Sequence, residues 1–157
     1  HVWRPGEAAV KKHRRLRGEF KMAQILLITG ATIFGILGTI HLLYTFFTNK
    51  FEAYDSSVTE AMKKTSPVLT KETSVWKAWL GFNASHSLGA MLVAGVYVPL
   101  SWSYFDIIQQ STWLSSLPVI IGLSYLVLAK LYWFRIPLLG ISLATGCFIV
   151  AAVMINT

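Results

Sequence analysis

The sequence has little of what a soluble catalytic domain or a disulfide-rich domain requires. It contains one cysteine, which excludes both a disulfide framework and a zinc site built from cysteine pairs. Charged residues make up only 13% of the chain, whereas roughly 25% is usual in a soluble domain. The sequence shows no glycine-rich phosphate loop, no pair of catalytic carboxylates and no nucleophile motif. These absences favour a role without enzymatic activity.

What the sequence does have is four long apolar runs, and 54% of its 157 residues are hydrophobic. Each run has about the 20 residues that a helix needs to cross a bilayer. Lipid offers no partner to a free backbone N–H or C=O, so each run is expected to be a helix. Tryptophan and tyrosine are concentrated near the ends of the runs, as in an aromatic belt. We therefore predict an all-α, polytopic membrane protein, a four-helix antiparallel transmembrane bundle with spans at about 23–47, 76–102, 113–134 and 136–155.

Residues 1–21 differ in composition and are predicted to be a basic N-terminal tail, separate from a transmembrane domain at 22–157. The tail holds +5 of the formal net charge of +7. Such a charge attracts anionic lipid headgroups, whereas no fold or aromatic pattern typical of nucleic-acid binding accompanies it. Met22 directly precedes the first span and is a candidate for the natural start of the chain, so the tail is not assumed to be native. The tail and the lysines of the loops give opposite orientations by the positive-inside rule, and both orientations stay open.

The connection between the first two spans is the only long one, at about residues 48–75. Ser57-Val58-Thr59-Glu60 has the pattern of a capping box, and Ser66-Pro67 is typical of a helix end. A short helix is therefore predicted in this loop, either on the membrane surface or in solvent.

Polar residues inside the spans require an explanation, because they are costly in lipid. The first span contains His41 and Tyr44, and the second contains Asn83, Ser85 and His86. The two spans are consecutive and antiparallel, and both histidines lie in the half nearer the long loop. We therefore expect both histidines in the bundle interior, in one hydrogen-bonded network with Tyr44, Asn83 and Ser85.

A second interpretation of the two histidines also stays open, in which His41 and His86 hold a metal or the iron of haem b between them. Gly38 and Gly89, each three residues from a histidine, would leave room for a flat ring. Two histidines are too few for a closed zinc site built from protein ligands alone, so no such metal site is predicted.

Small residues recur at every fourth position of the second span, at Gly81, Ser85 and Gly89. This spacing is typical of a helix face that another helix approaches closely. The partner helix is expected in a second copy or another membrane protein, with packing inside the same chain as the alternative.

The segment Gly38-Thr39-Ile40-His41 with Tyr44, followed by residues 76–89, resembles a family of small, uncharacterised four-span bacterial membrane proteins. The most specific part is Gly-Phe-Asn-x-Ser-His-Ser-Leu-Gly at residues 81–89. The resemblance covers the chain from Met22 onward and leaves residues 1–21 outside. It implies a four-span fold in the bacterial inner membrane, and it brings no activity with it.

Two functions of different classes follow from the sequence. The first is a non-enzymatic integral membrane protein, either a self-associating bundle or an accessory subunit of a larger membrane complex. The alternative is a haem-b-binding electron carrier that uses His41 and His86. The expected partners are the lipid bilayer and a second copy or other membrane subunits, and nucleic acid is not expected.

Overall fold

The computed structural model describes the backbone of residues 5–157 and the side chains of residues 15–157. Throughout this part of the chain the regular structure is helical, which confirms the all-α fold class. The helices, in chain order, are α1 (Pro5–Phe47), α2 (Ser56–Lys64), α3 (Val75–Ser103), α4 (Phe105–Gln109), α5 (Thr112–Tyr132) and α6 (Arg135–Asn156).

Four of these helices are long and apolar enough to cross a membrane: Arg15–Phe47 of α1 and the whole of α3, α5 and α6. The chain is therefore a multi-pass membrane protein with a helical bundle, as predicted. The third span ends earlier than expected, because Trp133 and Phe134 have extended backbone and separate α5 from α6. Phe134 then serves as the N-cap residue of α6.

Helix α1 continues through Met22 without interruption. The change from basic to apolar composition at this position is therefore not a helix boundary. No proline or glycine interrupts residues 19–29, and Arg15 supports the helix by donating from Nε to Glu19 Oε1 at 2.9 Å, one turn away. The residues before and after Met22 differ in composition, but the backbone is helical on both sides.

The predicted loop helix is present as α2, but its predicted cap is wrong. The N-cap is Asp55, whose Oδ1 accepts from the Ser57 N–H at 2.9 Å. A carboxylate accepts this bond well, because it is charged and lies at the positive end of the helix. Hydrogen bonding to Ser57 holds the pKa of Asp55 below its ordinary value of 3.8. The helix ends at Lys64, where Thr65 returns to extended backbone.

The helices are organised in two compact units, one of residues 35–92 and one of residues up to 34 with residues 93–157. In the second of these, the core includes the buried ring of Phe34, which lies 5.2 Å from Tyr125 and 5.7 Å from Phe148 between ring centroids. Gly122 permits close packing in the same unit, because a Cβ there would lie 2.7 Å from Thr145 Oγ1.

Candidate functional site

The unit of residues 35–92 brings three of the predicted site residues together. The C-terminal part of α1 supplies His41, and the N-terminal part of α3 supplies Asn83 and His86. His41 Nε2 lies 3.1 Å from Asn83 Oδ1, and the two imidazole rings meet edge to face with 5.5 Å between their centroids. Both histidines are partly buried. The predicted convergence of the two histidines is therefore present in the structure.

The hydrogen bonds of Asn83 determine which nitrogen of His41 carries a proton. Asn83 Nδ2 donates to the Trp79 carbonyl oxygen at 2.8 Å, so its oxygen is the atom that faces His41. An amide oxygen only accepts, and therefore His41 Nε2–H is the donor. The reversed amide would place two acceptors against each other at Trp79. Asn83 thus fixes the position of His41 while its own position is fixed by α3.

A segment that follows α1 covers this pair of helices. The ring of Phe51 lies 4.5 Å from the ring of His41 between centroids. The Phe51 carbonyl oxygen accepts from Trp79 Nε1–H at 3.1 Å. The loop is therefore attached to α3 through its backbone and to α1 through a ring contact. We refer to His41, Phe51, Trp79, Asn83 and His86 as the histidine site.

The two helices are in direct contact one turn away from the histidine site, at Gly38. A Cβ at this position would lie 2.8 Å from the Ser87 carbonyl oxygen, 3.0 Å from Ala90 Cβ and 3.1 Å from Met91 Cγ. The absence of a side chain at Gly38 is what permits this approach. The expectation that Gly38 leaves room for a flat ring is wrong, because α3 fills that space.

Haem ligation by His41 and His86 stays a prediction, and it would require a rearrangement of the histidine site. A haem iron would need a ring nitrogen from each histidine at about 2 Å, with the porphyrin lying between the rings. The rings of His41 and His86 are instead in edge contact at 5.5 Å. His41 Nε2 carries a proton toward Asn83, so the lone pair of its neutral ring lies on Nδ1. The helices would have to separate at Gly38 before a porphyrin had space.

The structure places Tyr44 and Ser85 outside the hydrogen-bonded group. The ring of Tyr44 is 38% exposed, and the ammonium of Lys50 lies 4.7 Å from its centroid. Ser85 is exposed, and its hydroxyl donates to the Phe82 carbonyl oxygen of its own helix at 3.0 Å. Both residues are close to the histidines in sequence, but their side chains have other partners, and the prediction that they join the network is wrong.

The small-residue face of α3 is open along part of its length. A Cβ at Gly81 would meet no atom within 4 Å. Ser85 is exposed and Gly89 is partly buried. The neighbouring Phe82 ring is 77% exposed. Within the part of the chain that the structure describes, Gly81 therefore does not pack closely against another helix.

A second group of polar residues lies in the other unit and was not predicted. Gln24 Nε2 donates to the Ser101 carbonyl oxygen at 2.7 Å, and Tyr97 Oη donates to the carbonyl oxygen of Leu114 at 3.0 Å. Asn156 Nδ2 donates to Ser115 Oγ at 3.0 Å. These bonds join α1 to α3, α3 to α5, and α6 to α5. These residues are far apart in the sequence and belong to no motif. Their hydrogen bonds therefore could not be predicted from the sequence and become visible only in the folded structure.

One hydroxyl of this second group has no partner. Within residues 15–157, Ser101 Oγ is the buried side-chain polar atom for which no hydrogen bond is found. The side chain is fully buried. Most serines and threonines of the spans instead donate to a carbonyl oxygen one turn earlier, as Ser87 does to Asn83 at 2.9 Å.

Comparison with known proteins gave no match, either among models of protein families, among curated proteins or among solved structures.

Proposed function

We propose that this chain is a non-enzymatic membrane protein of the bacterial inner membrane that associates with a second copy of itself through α3. The proposed contact face consists of Gly81, Ser85 and Gly89. The inner membrane is part of the proposal because residues 81–89 carry the resemblance to bacterial four-span proteins described above. The observation that supports self-association is the open space above Gly81.

Gly38 and Gly81 lie in the same unit but differ in how closely other atoms approach them. Gly38 is filled by atoms of α3, whereas Gly81 meets nothing within 4 Å. Between helices in lipid there is no hydrophobic drive, because the acyl chains are as apolar as the side chains. Attraction has to come from close packing and hydrogen bonds, which small residues permit. Gly81 and Ser85 lie one turn apart on an exposed surface. The backbone of a second helix can therefore approach α3 closely at these two residues.

The exposed residues further along α3 extend the same surface. Leu88 and Leu92 are 50% and 66% exposed. They lie three and seven residues after Ser85, on the same side of the helix. A helix of a second copy that contacts Gly81 and Ser85 would pack against these two side chains next. The surface therefore has the small residues at one end and larger apolar residues toward the other.

A serine-to-leucine substitution tests the proposal. Ser85→Leu places a bulky side chain where the second helix should approach. Ser124→Leu is a matched control, because Ser124 is also an exposed serine of a span whose hydroxyl donates to a carbonyl oxygen of its own helix, that of Ile120, at 2.9 Å. Native mass spectrometry of protein released from membranes would measure the oligomer, and circular dichroism would confirm that the helices remain folded.

The expected result is a dimer for the wild-type chain and for Ser124→Leu, and a folded monomer for Ser85→Leu. Two results would overturn self-association: a wild-type chain that is monomeric in the membrane, or a dimer that Ser85→Leu leaves intact. Release of a different membrane protein by Ser85→Leu alone would identify the chain as an accessory subunit that uses the same face.

A further inference from the structure

A closed loop at the start of α3 exposes two adjacent aliphatic side chains. The Val75 N–H donates to the Thr65 carbonyl oxygen at 2.9 Å and closes the base of the loop. The Thr70 N–H donates to the Pro67 carbonyl oxygen at 3.3 Å and forms the turn at its tip. Between them, Val68 and Leu69 are 109% and 94% exposed. We call residues 65–75 the anchor loop.

The composition of this turn is unusual for one that meets only water. Turns are normally occupied by glycine, proline, asparagine, aspartate and serine. Pro67 fits that pattern, but the two positions after it carry branched aliphatic side chains. Neither gains any contact with the rest of the described chain that would remove it from solvent. Two adjacent aliphatic side chains at the tip of a turn are a candidate contact surface for a protein or a membrane.

The position of the anchor loop favours the membrane. Its base is Val75, the first residue of a membrane-spanning helix. Leu69 lies four positions after Thr65, so the two residues are at most about 14 Å apart even for a fully extended chain. The interfacial region on each side of the hydrocarbon is roughly 5–8 Å thick. Trp76 follows the base directly, and tryptophan is enriched at this depth. The tip is therefore within reach of the headgroup layer of the bilayer that α3 crosses.

The charges beside the tip complement an anionic surface. Lys64 and Lys71 lie on either side of the turn and are both exposed, as is Glu72 beside Lys71, so that residues 64–72 carry one net positive charge. Lys63 differs, because it is paired with Glu60 at 2.8 Å. Lysines near a membrane are attracted by anionic headgroups and keep their ammonium groups at the surface.

We propose that the anchor loop inserts Val68 and Leu69 into the headgroup–acyl boundary of the bilayer, with Lys64 and Lys71 on anionic lipid headgroups. The partner is the surface of the same membrane that the spans cross. The loop, together with α2, is thereby held close to the bilayer. This contact is independent of the proposed association through α3, because it uses other residues and a different partner.

Spin labelling tests this proposal on the full chain in nanodiscs that hold one copy. Cys147 is first replaced by serine, and Leu69→Cys then carries a nitroxide. Ser57→Cys, an exposed position of α2 outside the loop, is the control. Collision of the nitroxide with oxygen and with a water-soluble nickel chelate reports its depth. In discs with anionic lipid the label at Leu69 is expected below the headgroups, and the label at Ser57 in water.

The charge requirement is tested by Lys64→Gln with Lys71→Gln in the same discs. Each lysine is expected to change the ratio of inserted to water-exposed label by about fivefold, in discs with anionic lipid only. A label at Leu69 that stays fully accessible to the nickel chelate would overturn the proposal. A label protected from both oxygen and nickel would also overturn it, because protection from both indicates a protein contact.

Discussion

Replacing Gly38 by alanine should loosen the contact between α1 and α3 beside the histidine site. The new Cβ would lie 2.8 Å from the Ser87 carbonyl oxygen, whereas ordinary contacts begin at 3.4 Å. A backbone carbonyl cannot move away as a flexible side chain can. The helices therefore have to separate by roughly half an ångström, and inserting a methyl group into a well-packed site typically costs about 1–3 kcal/mol.

Gly81→Ala is the control that separates the packing cost of Gly38→Ala from the effect of alanine on helix propensity. Both glycines lie inside helices, so both variants gain alanine's higher helix propensity, about 1 kcal/mol in water. At Gly81 no atom lies within 4 Å of the new Cβ, so only this gain remains. The difference between the two variants is then the packing term alone, about 1–3 kcal/mol in favour of Gly81→Ala.

Denaturant titration of the monomer in detergent micelles, followed by circular dichroism, measures both variants. Monomeric conditions matter because Gly81 belongs to the proposed contact face. A second measurement follows the His41 Nε2–H by nuclear magnetic resonance, since separation at Gly38 should lengthen its 3.1 Å bond to Asn83. The reasoning is refuted if Gly38→Ala is as stable as Gly81→Ala and leaves the His41 signal unchanged.

Three further outcomes are expected. Asn83→Ala leaves the His41 donor without its partner and should lower the free energy of unfolding by about 0.6–1.7 kcal/mol; no change in the same titration would mean that water replaces the amide. Ser115→Ala removes an acceptor of Asn156 and should cost about 0.6 kcal/mol, with a loss above 2 kcal/mol contradicting the pairwise contact. Asp55→Asn should make the protection factors of the α2 amides, which are their exchange rates relative to an unfolded peptide at the same pH, insensitive to acid. In the wild-type chain the lowered pKa of Asp55 means that its stabilising effect is present above pH 3.8 and is lost as the pH falls through the lowered value. Protection factors that fall equally in both chains on acidification would refute this role.

The fold was predictable because lipid leaves the backbone few choices. A run such as residues 136–155 has to be a helix once it is in the membrane, so its length and composition were enough. The ends of helices were less predictable. Asp55 took the place of the predicted capping box, because a carboxylate two residues earlier in the chain was the better acceptor.

The core of the histidine site was predictable from depth and periodicity. His41, Asn83 and His86 follow from the antiparallel arrangement of two consecutive spans and from helical spacing. Phe51 was not predictable, because it is held by its backbone carbonyl oxygen, and a backbone contact leaves no trace in the side-chain pattern. Tyr44 shows that helical spacing alone does not determine which neighbour a side chain contacts. It lies three residues after His41, but its ring contacts Lys50 and not the histidine site.

The second polar group was not predictable for a reason specific to membranes. In a soluble helix the apolar stripe identifies the buried face, but here the lipid side and the core side are both apolar. Gln24 and Asn156 are single polar residues near the ends of their spans, where water, lipid headgroups and other helices are equally available partners. Only the packed bundle shows that each bonds to a neighbouring helix.

The lengths of the spans imply that the histidine site is sensitive to membrane thickness. Helix α5 has 21 residues and α6 has 22, or about 32–33 Å, which matches a hydrocarbon layer of about 30 Å. Helix α3 has 29 residues, or about 44 Å. The excess has to be accommodated by tilt or by emergence from the hydrocarbon. His86 lies about 17 Å from the start of α3, so a thinner bilayer brings this residue toward the headgroups and a thicker one draws it toward the midplane. We therefore expect the access of water and protons to the two imidazoles to depend on the thickness of the surrounding bilayer.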